Sequence, residues 1–264
     1  MSVASGKIAL ISGGGAGIGL QYAKELLRNG LRGVTLADIC KTNGENAVKE
    51  IGDEFGDDKV LFVKTDVTDR NQYEEAFEKT VDRFKNIDIV VNNAGVMNDA
   101  IWERQISINL VGTIFGCILA VEKYLPKYKT GSEGVVVNVA SVSGLEKFQA
   151  FPIYSATKRA VVGLTRAWGK DVHYLRTNVR FLALCPGVTD TPLLRECLDR
   201  HLGPAYQDIM KGNLPHLNIQ SAECVAKGFL HVLNTGKNGS IWVVEHSEPP
   251  YEIVIPSRKQ FRKK

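Results

Sequence analysis

Ser12-Gly13-Gly14-Gly15-Ala16-Gly17-Ile18-Gly19 decides the fold. It follows a short apolar run, Lys7 to Ser12 (KIALIS), of the kind that suits a buried parallel strand. It precedes Ile18 to Asn29, where Ile18, Tyr22, Ala23, Leu26 and Leu27 recur at helical spacing and Gly30 follows as a C-cap candidate. Gly13, Gly17 and Gly19 are spaced G-x-x-x-G-x-G. A strand that turns through glycine into a helix lets a pyrophosphate approach the backbone at a helix N-terminus, whose dipole favours anions. Gly-rich turns are common, but a strand before and a helix after is the context that dinucleotide binding requires.

The same alternation continues outward. Strands are expected at Gly33 to Asp38, Lys59 to Val63, Ile87 to Val91, Gly134 to Val139, Val179 to Leu184 and Ser240 to Val244. Helices are expected at Asn43 to Phe55, Gln72 to Phe84, Ile101 to Leu125 (stopped by Pro126), Pro152 to Leu175, and Ser221 to Leu233 with Ser221 as N-cap. Strand followed by helix throughout means an α/β, doubly wound Rossmann fold: one parallel sheet of about seven strands with helices on both faces. No compositional break divides residues 1–264, so one dinucleotide-binding and catalytic domain is expected. The least regular segment, about 189–220, carries Pro192, Gly203, Pro204, Gly212 and Pro215. It reads as a substrate lid or as a long surface connection.

Bulk properties narrow the function class. The chain has 264 residues, 44% hydrophobic and 23% charged, which excludes a disordered or fibrous protein. The formal charge of +4 owes much to a basic tail, about 250–264, ending Arg262-Lys263-Lys264, and a solvated terminus is the expectation there rather than a nucleic-acid partner. The five cysteines include no Cys-x-x-Cys, and no apolar leader opens the chain, so a cytoplasmic protein with reduced cysteines is expected. The five histidines are scattered, so no metal site is expected, and no stretch reads as a membrane span.

Asp38 ends the second strand, nineteen residues after Gly19. A carboxylate there accepts hydrogen bonds from the adenosine ribose hydroxyls and repels a 2′-phosphate, so NAD is expected over NADP. Asp66-Val67 and Asn92-Asn93-Ala94-Gly95 fall at the carboxyl ends of the third and fourth strands, beside an adenine and its ribose; Asn92 or Asn93 could instead bond its own turn. Tyr154 and Lys158 form Tyr-x-x-x-Lys, and residues four apart share a helix face. An unperturbed tyrosine titrates near ~10, and a cation beside it favours the phenolate. The pair is therefore a candidate acid/base catalyst, although any amphipathic helix can carry Tyr and Lys at that spacing. Ser141 lies thirteen residues upstream.

These motifs, in this order, resemble the single-domain short-chain dehydrogenase/reductase family over about Lys7 to Val244. The residues that carry the resemblance are Ser12-Gly13…Gly17-Ile18-Gly19, Asp38, Asp66-Val67, Asn92-Asn93-Ala94-Gly95, Asn109, Ser141, Tyr154, Lys158 and Pro186-Gly187. Ser12 stands where the family usually has Thr. Cys185 to Thr191 and Asn238 to Trp242 are similar to the insect-type alcohol dehydrogenases and the NAD-dependent hydroxyprostaglandin dehydrogenases. Prostaglandin members carry Gln three residues before the tyrosine; Phe151 stands there here.

The resemblance implies a catalytic quartet of Asn109, Ser141, Tyr154 and Lys158. Tyr154 would exchange a proton with the substrate oxygen, and Lys158 would lower the Tyr154 pKa and hold the nicotinamide ribose. Ser141 would orient the substrate, and Asn109 would anchor a water next to Lys158. Pro186, Gly187, Val188 and Thr189 would hold the nicotinamide. Ser143 to Phe151 (notably Phe148 and Phe151), Met97, Asn98, Leu193 and Leu194 would make an apolar pocket for a lipophilic secondary alcohol or ketone, or else pack a helix or dimer interface. The implied activity is an NAD-dependent alcohol dehydrogenase. The alternative is a catalytically idle NAD(H)-binding sensor or scaffold. A sugar-nucleotide epimerase would call for a separate substrate domain. A homodimer or homotetramer is implied through the helices near 101–125 and 152–175.

Overall fold

The computed structural model describes residues 2–260; Phe261, Arg262, Lys263 and Lys264, the end of the expected basic tail, lie outside the described residues. The chain runs β1 (Ile8–Ser12), α1 (Gly17–Arg28), β2 (Gly33–Asp38), α2 (Lys41–Phe55), β3 (Val60–Lys64), α3 (Arg70–Phe84) and β4 (Ile89–Asn92). The long helix α4 (Asp99–Tyr128) comes next. It leads to β5 (Gly134–Val139), α5 (Pro152–Trp168), α6 (Asp171–Thr177), β6 (Val179–Pro186), α7 (Pro192–Arg195), α8 (Pro204–Asn213), α9 (Ala222–Thr235), β7 (Ile241–Val244) and β8 (Tyr251–Ile253).

The sheet order is β3-β2-β1-β4-β5-β6-β7-β8. Pairing is parallel from β3 to β7, and β8 runs antiparallel to β7. The sheet therefore has eight strands where about seven were expected. The eighth, Tyr251–Ile253, lies within the stretch expected as tail; three residues are too short for an alternation to be visible. Strand order reverses between β1 and β4, and the crevice beyond the carboxyl ends at such a point is where open α/β sheets bind ligands.

Both sheet faces are covered. On one, Tyr22 and Leu26 of α1 meet Phe229 and Val232 of α9, with the Tyr22 and Phe229 rings stacked at 4.4 Å. On the other, Tyr73 and Phe77 of α3 pack with Leu119 and Val121 of α4. Burying four or five such side chains on a helix stabilises its docking by ~1.5–3 kcal/mol each, before conformational entropy is charged.

Two helices depart from expectation. The segment Pro152 to Leu175 is broken: α5 ends at Trp168, and α6 begins at Asp171. Pro126 does not stop α4. The helix widens into a π segment over Leu119–Tyr124 and continues to Tyr128. A widened turn accommodates a residue that has no N–H to donate and a ring that crowds the preceding turn. A second π segment, Ser107–Gly112, contains Asn109. By length and composition α4 is apolar enough to cross a membrane, although no span is expected from the sequence. Here it packs against the sheet, with Cys117, Leu119, Ala120 and Val121 in the core.

Candidate active site

The glycine turn is held by its neighbours. Gly13 and Gly17 have φ of +63° and +55°, a region that side chains with a Cβ avoid. A Cβ on Gly13 would lie 2.9 Å from Cα of Ala94. The Ser12 hydroxyl accepts from the backbone N–H groups of Asn93 (3.0 Å) and Ala94 (3.1 Å). The Asn93 amide donates to the carbonyls of Ser12 and Gly13, both at 3.0 Å. Asn93 thus braces the turn. Asn92 points into the core, accepting from the Tyr73 hydroxyl (2.7 Å) and donating to Asn138 (2.8 Å).

Beside this turn lies a cleft of about 270 Å³. Its walls include Gly13, Gly17, Ile18, Asp38, Asp66, Val67, Asn93, Ala94 and Gly95, so most of the expected cofactor residues meet here. The N-terminus of α1 faces it with no side-chain cap and no acid in its first turn. Free N–H groups and an unopposed dipole fit a dinucleotide pyrophosphate. Asp38 is fixed at the rim: one oxygen accepts the Gly15 N–H and the other the Cys40 N–H, both at 2.9 Å. Its remaining lone pairs are available to ribose hydroxyls. Burial alone would raise the Asp66 carboxyl, but bonds from Thr68 and Arg104 outweigh it and hold the group below its ordinary range. Arg104, on the wall and 2.5 Å from Asp66, had no signal in the sequence beyond its charge.

A second cleft, of about 250 Å³, opens on the other side of the β1/β4 crevice. Ser141, Tyr154, Lys158, Pro186, Gly187, Val188 and Thr189 line it. Met97, Phe148, Leu193, Leu194, Met210 and Leu217 form its apolar walls. Ile18, Asn93, Gly95, Thr191 and Leu193 belong to both clefts, so the two are continuous. The 189–220 segment lines this cleft, with its ends tied together: Asp190 N–H donates to Gln220 at 2.9 Å, and Gln220 N–H to Val188 at 3.0 Å. Phe151 is not on the wall. It is fully buried behind Phe148, with its ring 5.6 Å from Phe148 and 4.4 Å from His201. Asn98 is not on the wall either; its backbone N–H donates to Gln105.

The electrostatics of the pair differ from the sequence expectation. Burial pushes the Tyr154 phenol up to about 12, although the neighbouring Ser141 hydroxyl works the other way. Burial also pulls Lys158 down to about 8. The ammonium lies over the Tyr154 ring, 5.7 Å from its centre, and donates to the carbonyl of Val139 at 2.9 Å. Desolvation of both groups outweighs the attraction expected between them, and the cation sits over the ring. The Ser141 hydroxyl pairs with that of Ser143 at 3.0 Å. The Asn109 amide accepts from Val96 N–H and donates to its carbonyl, both at 2.8 Å, and donates to the Thr157 hydroxyl at 3.2 Å. It therefore clamps the loop after β4 to α5. A Cβ on Gly95 would lie 3.3 Å from Asn109 Oδ1 and 3.4 Å from Lys158 Nζ, so the two polar groups flank this glycine.

Among the described residues no group of three His, Cys, Asp or Glu side chains is arranged to hold a metal. The two continuous clefts run from the glycine turn to a phenol, a hydroxyl and an ammonium.

The sequence and the fold are similar to those of known proteins. The short chain dehydrogenase family model matches residues 7–201. The 15-hydroxyprostaglandin dehydrogenase [NAD(+)] of Mus musculus is 33% identical over 248 residues, covering 92% of this chain and 91% of that protein. Alcohol dehydrogenase 1 of Ceratitis cosyra is 32% identical over 244 residues, covering 92% and 93%. Levodione reductase superposes with a TM-score of 0.77 at 29% identity, covering 91% of this chain and 96% of that one. A 3-ketoacyl-(acyl-carrier-protein) reductase from Brucella melitensis, complexed with NADH, gives 0.74 at 26% identity, covering 92% and 98%. The chain therefore belongs to the short chain dehydrogenase family.

Proposed function

We propose that the protein is an NAD-dependent oxidoreductase acting on a secondary alcohol or its ketone, with Tyr154 as general acid/base. One observation carries the reading. The cleft that holds Ser141, Tyr154 and Lys158 is continuous with the cleft at the glycine turn. When bound, the nicotinamide supplies the hydride chemistry. Tyr154 exchanges the proton with the substrate oxygen, and Ser141 hydrogen-bonds that oxygen. With its pKa near about 12, the phenol rests protonated at neutral pH and is a donor to a carbonyl. In the alcohol direction it must first lose that proton, and the Lys158 ammonium is the cation in place to favour the loss.

Asp38 at the rim favours NAD, and the NAD(+) relatives agree. The apolar walls favour a lipophilic substrate, although Glu146 and Lys147 also reach the cleft. One domain is supported by one sheet that holds the eight strands among the described residues, and a lid at about 189–220 by Leu193, Leu194, Met210 and Leu217, which line the cleft. The five cysteines are unpaired, which fits a cytoplasmic setting. Ile101, Trp102 and Ile118 are exposed on α4, which fits a homodimer or homotetramer through that helix. The test is NADH formation from NAD across a panel of secondary alcohols of increasing chain length. The expected result is turnover that improves with apolar bulk. Cofactor binding with no turnover on any member would leave the sensor or scaffold reading in its place.

A further inference from the structure

The first turn of α5 raises an accounting question. A helix leaves its leading N–H groups without partners inside the helix, and a Ser, Thr, Asp or Asn at the N-cap normally accepts one or two of them. The N-cap here is Phe151, which has no such group. Pro152 has no N–H, and Ser155 N–H already donates to the Phe151 carbonyl at 3.1 Å. Ile153 and Tyr154 remain. Both donate to Asp99: Ile153 N–H to Oδ2 at 2.9 Å and Tyr154 N–H to Oδ1 at 3.0 Å. The cap of α5 thus comes from the start of α4, more than fifty residues earlier in the chain.

The Asp99 side chain has no contact with solvent, and no cation pairs with it among the described residues. The positive end of the α5 dipole, the two N–H groups and the Gln105 amide (2.7 Å) compensate its charge. Gln105 is itself oriented, accepting the Asn98 N–H at 2.6 Å. On its other side, the Asp99 N–H donates to the carbonyl of Arg200 at 2.8 Å, in the 189–220 segment. The next residue of that segment, His201, packs its ring on Phe151. A single residue therefore touches the backbone of the candidate acid/base and the backbone of the segment that walls the substrate cleft.

We propose that Asp99 is a positioning residue of the candidate active site: its buried carboxylate sets the register of Tyr154 against the cleft, and its N–H couples that register to the 189–220 segment. The proposal rests on the reading of Tyr154 as acid/base. Replacing the carboxylate by an amide keeps the shape but aims N–H groups at a backbone N–H, so α5 must shift or rotate at Tyr154. A shift of an ångström at a reacting group costs roughly 100-fold in rate. Neither Asp99 nor Gln105 lines the glycine-turn cleft, so cofactor binding should be spared.

The test compares Asp99→Asn with wild type in kcat, NADH affinity, and the isotope effect on kcat with a secondary alcohol deuterated at the carbinol carbon. The expected result is a kcat lowered roughly 10- to 100-fold, NADH affinity within about twofold, and a larger isotope effect as the chemical step becomes limiting. A merely structural loss lowers the folded fraction and leaves the isotope effect of the surviving enzyme unchanged; that result overturns the proposal. If Asp99→Asn does not fold, Gln105→Met carries the test. It removes the amide that aims Asp99, and it should raise the isotope effect with a smaller loss of rate; an unchanged isotope effect there also overturns the proposal. Tyr154→Phe run in parallel separates the two readings. Full turnover in Tyr154→Phe sinks the acid/base assignment itself. An inactive Tyr154→Phe beside an Asp99→Asn enzyme of wild-type kcat and isotope effect sinks only the role of Asp99.

Discussion

The two clefts are built by different means. The wall beside the glycine turn is largely backbone, held in contact distance by residues that have no side chain. Gly13 presses on Ala94, and Gly19 leaves room for the Gly13 carbonyl and the Asn93 amide. The far wall of the substrate cleft is made of side chains between tied ends: Leu193 and Leu194 on α7, Met210 on α8, and Leu217 in the extended stretch that follows. A backbone wall tolerates little change and suits a ligand that does not vary. A wall of side chains on short elements can be altered one residue at a time, which suits a site that sets specificity. The contrast predicts unequal costs of substitution on the two sides.

The largest effect should come from Gly19→Ala. The added Cβ would collide with the Gly13 carbonyl oxygen and lie 2.6 Å from Asn93 Nδ2. Overpacking against backbone costs ~1–3 kcal/mol, and here it also displaces the turn that faces the pyrophosphate. Thermal melts with and without NADH should show a lower melting temperature and a loss of the NADH-induced rise. An unchanged rise would mean that this wall is less rigid than its packing implies.

The junction between the clefts should show an intermediate effect, read through pH. Lys158 titrates near 10.5 in the unfolded chain and at about 8 in the fold. Between these values the unfolded chain holds more protons, so wild-type stability should climb as pH rises from 8 toward 10.5, by up to ~3 kcal/mol. Below pH 8 both states are protonated and the component is flat at its least favourable value. Tyr154, raised to about 12, acts oppositely but only above its unfolded value of 10. Lys158→Met should lack the rise between pH 8 and 10 in denaturant titrations. A variant with the wild-type slope would mean that Lys158 is not held at a lowered pKa.

The smallest effect should come from the side-chain wall. Leu194→Ala removes apolar surface from the substrate cleft and should cost ~1 kcal/mol of substrate binding for long substrates. KM should rise while NADH affinity stays put. A matching loss of NADH affinity would show that the two clefts are not separable in this way.

The same contrast explains what could be read in advance. The glycine turn, Asp38 and the run of strands were legible, because steric demands of backbone leave their mark on residue type. The pairing of Tyr154 with Ser141 beside one cleft was legible through spacing and family resemblance. The inverse effect on Tyr154 and Lys158 was not, because helical spacing places two groups on one face without saying how dry they are. Phe151 reads as pocket lining by position, yet it packs behind Phe148, which only the path of the 199–201 turn decides. Asp99 had no local pattern at all. The one clue was negative: Phe151 before Pro152 leaves a helix start without a cap, and a missing cap must be supplied from elsewhere.

The central claim is that Tyr154 carries the proton while the glycine turn carries the cofactor. Tyr154→Phe tests it most directly, with NADH affinity and NADH formation measured on the same preparation. The account predicts NADH affinity equal to wild type and turnover of secondary alcohols lowered by ~10²–10⁴-fold. Turnover at the wild-type rate in the phenylalanine variant would contradict it.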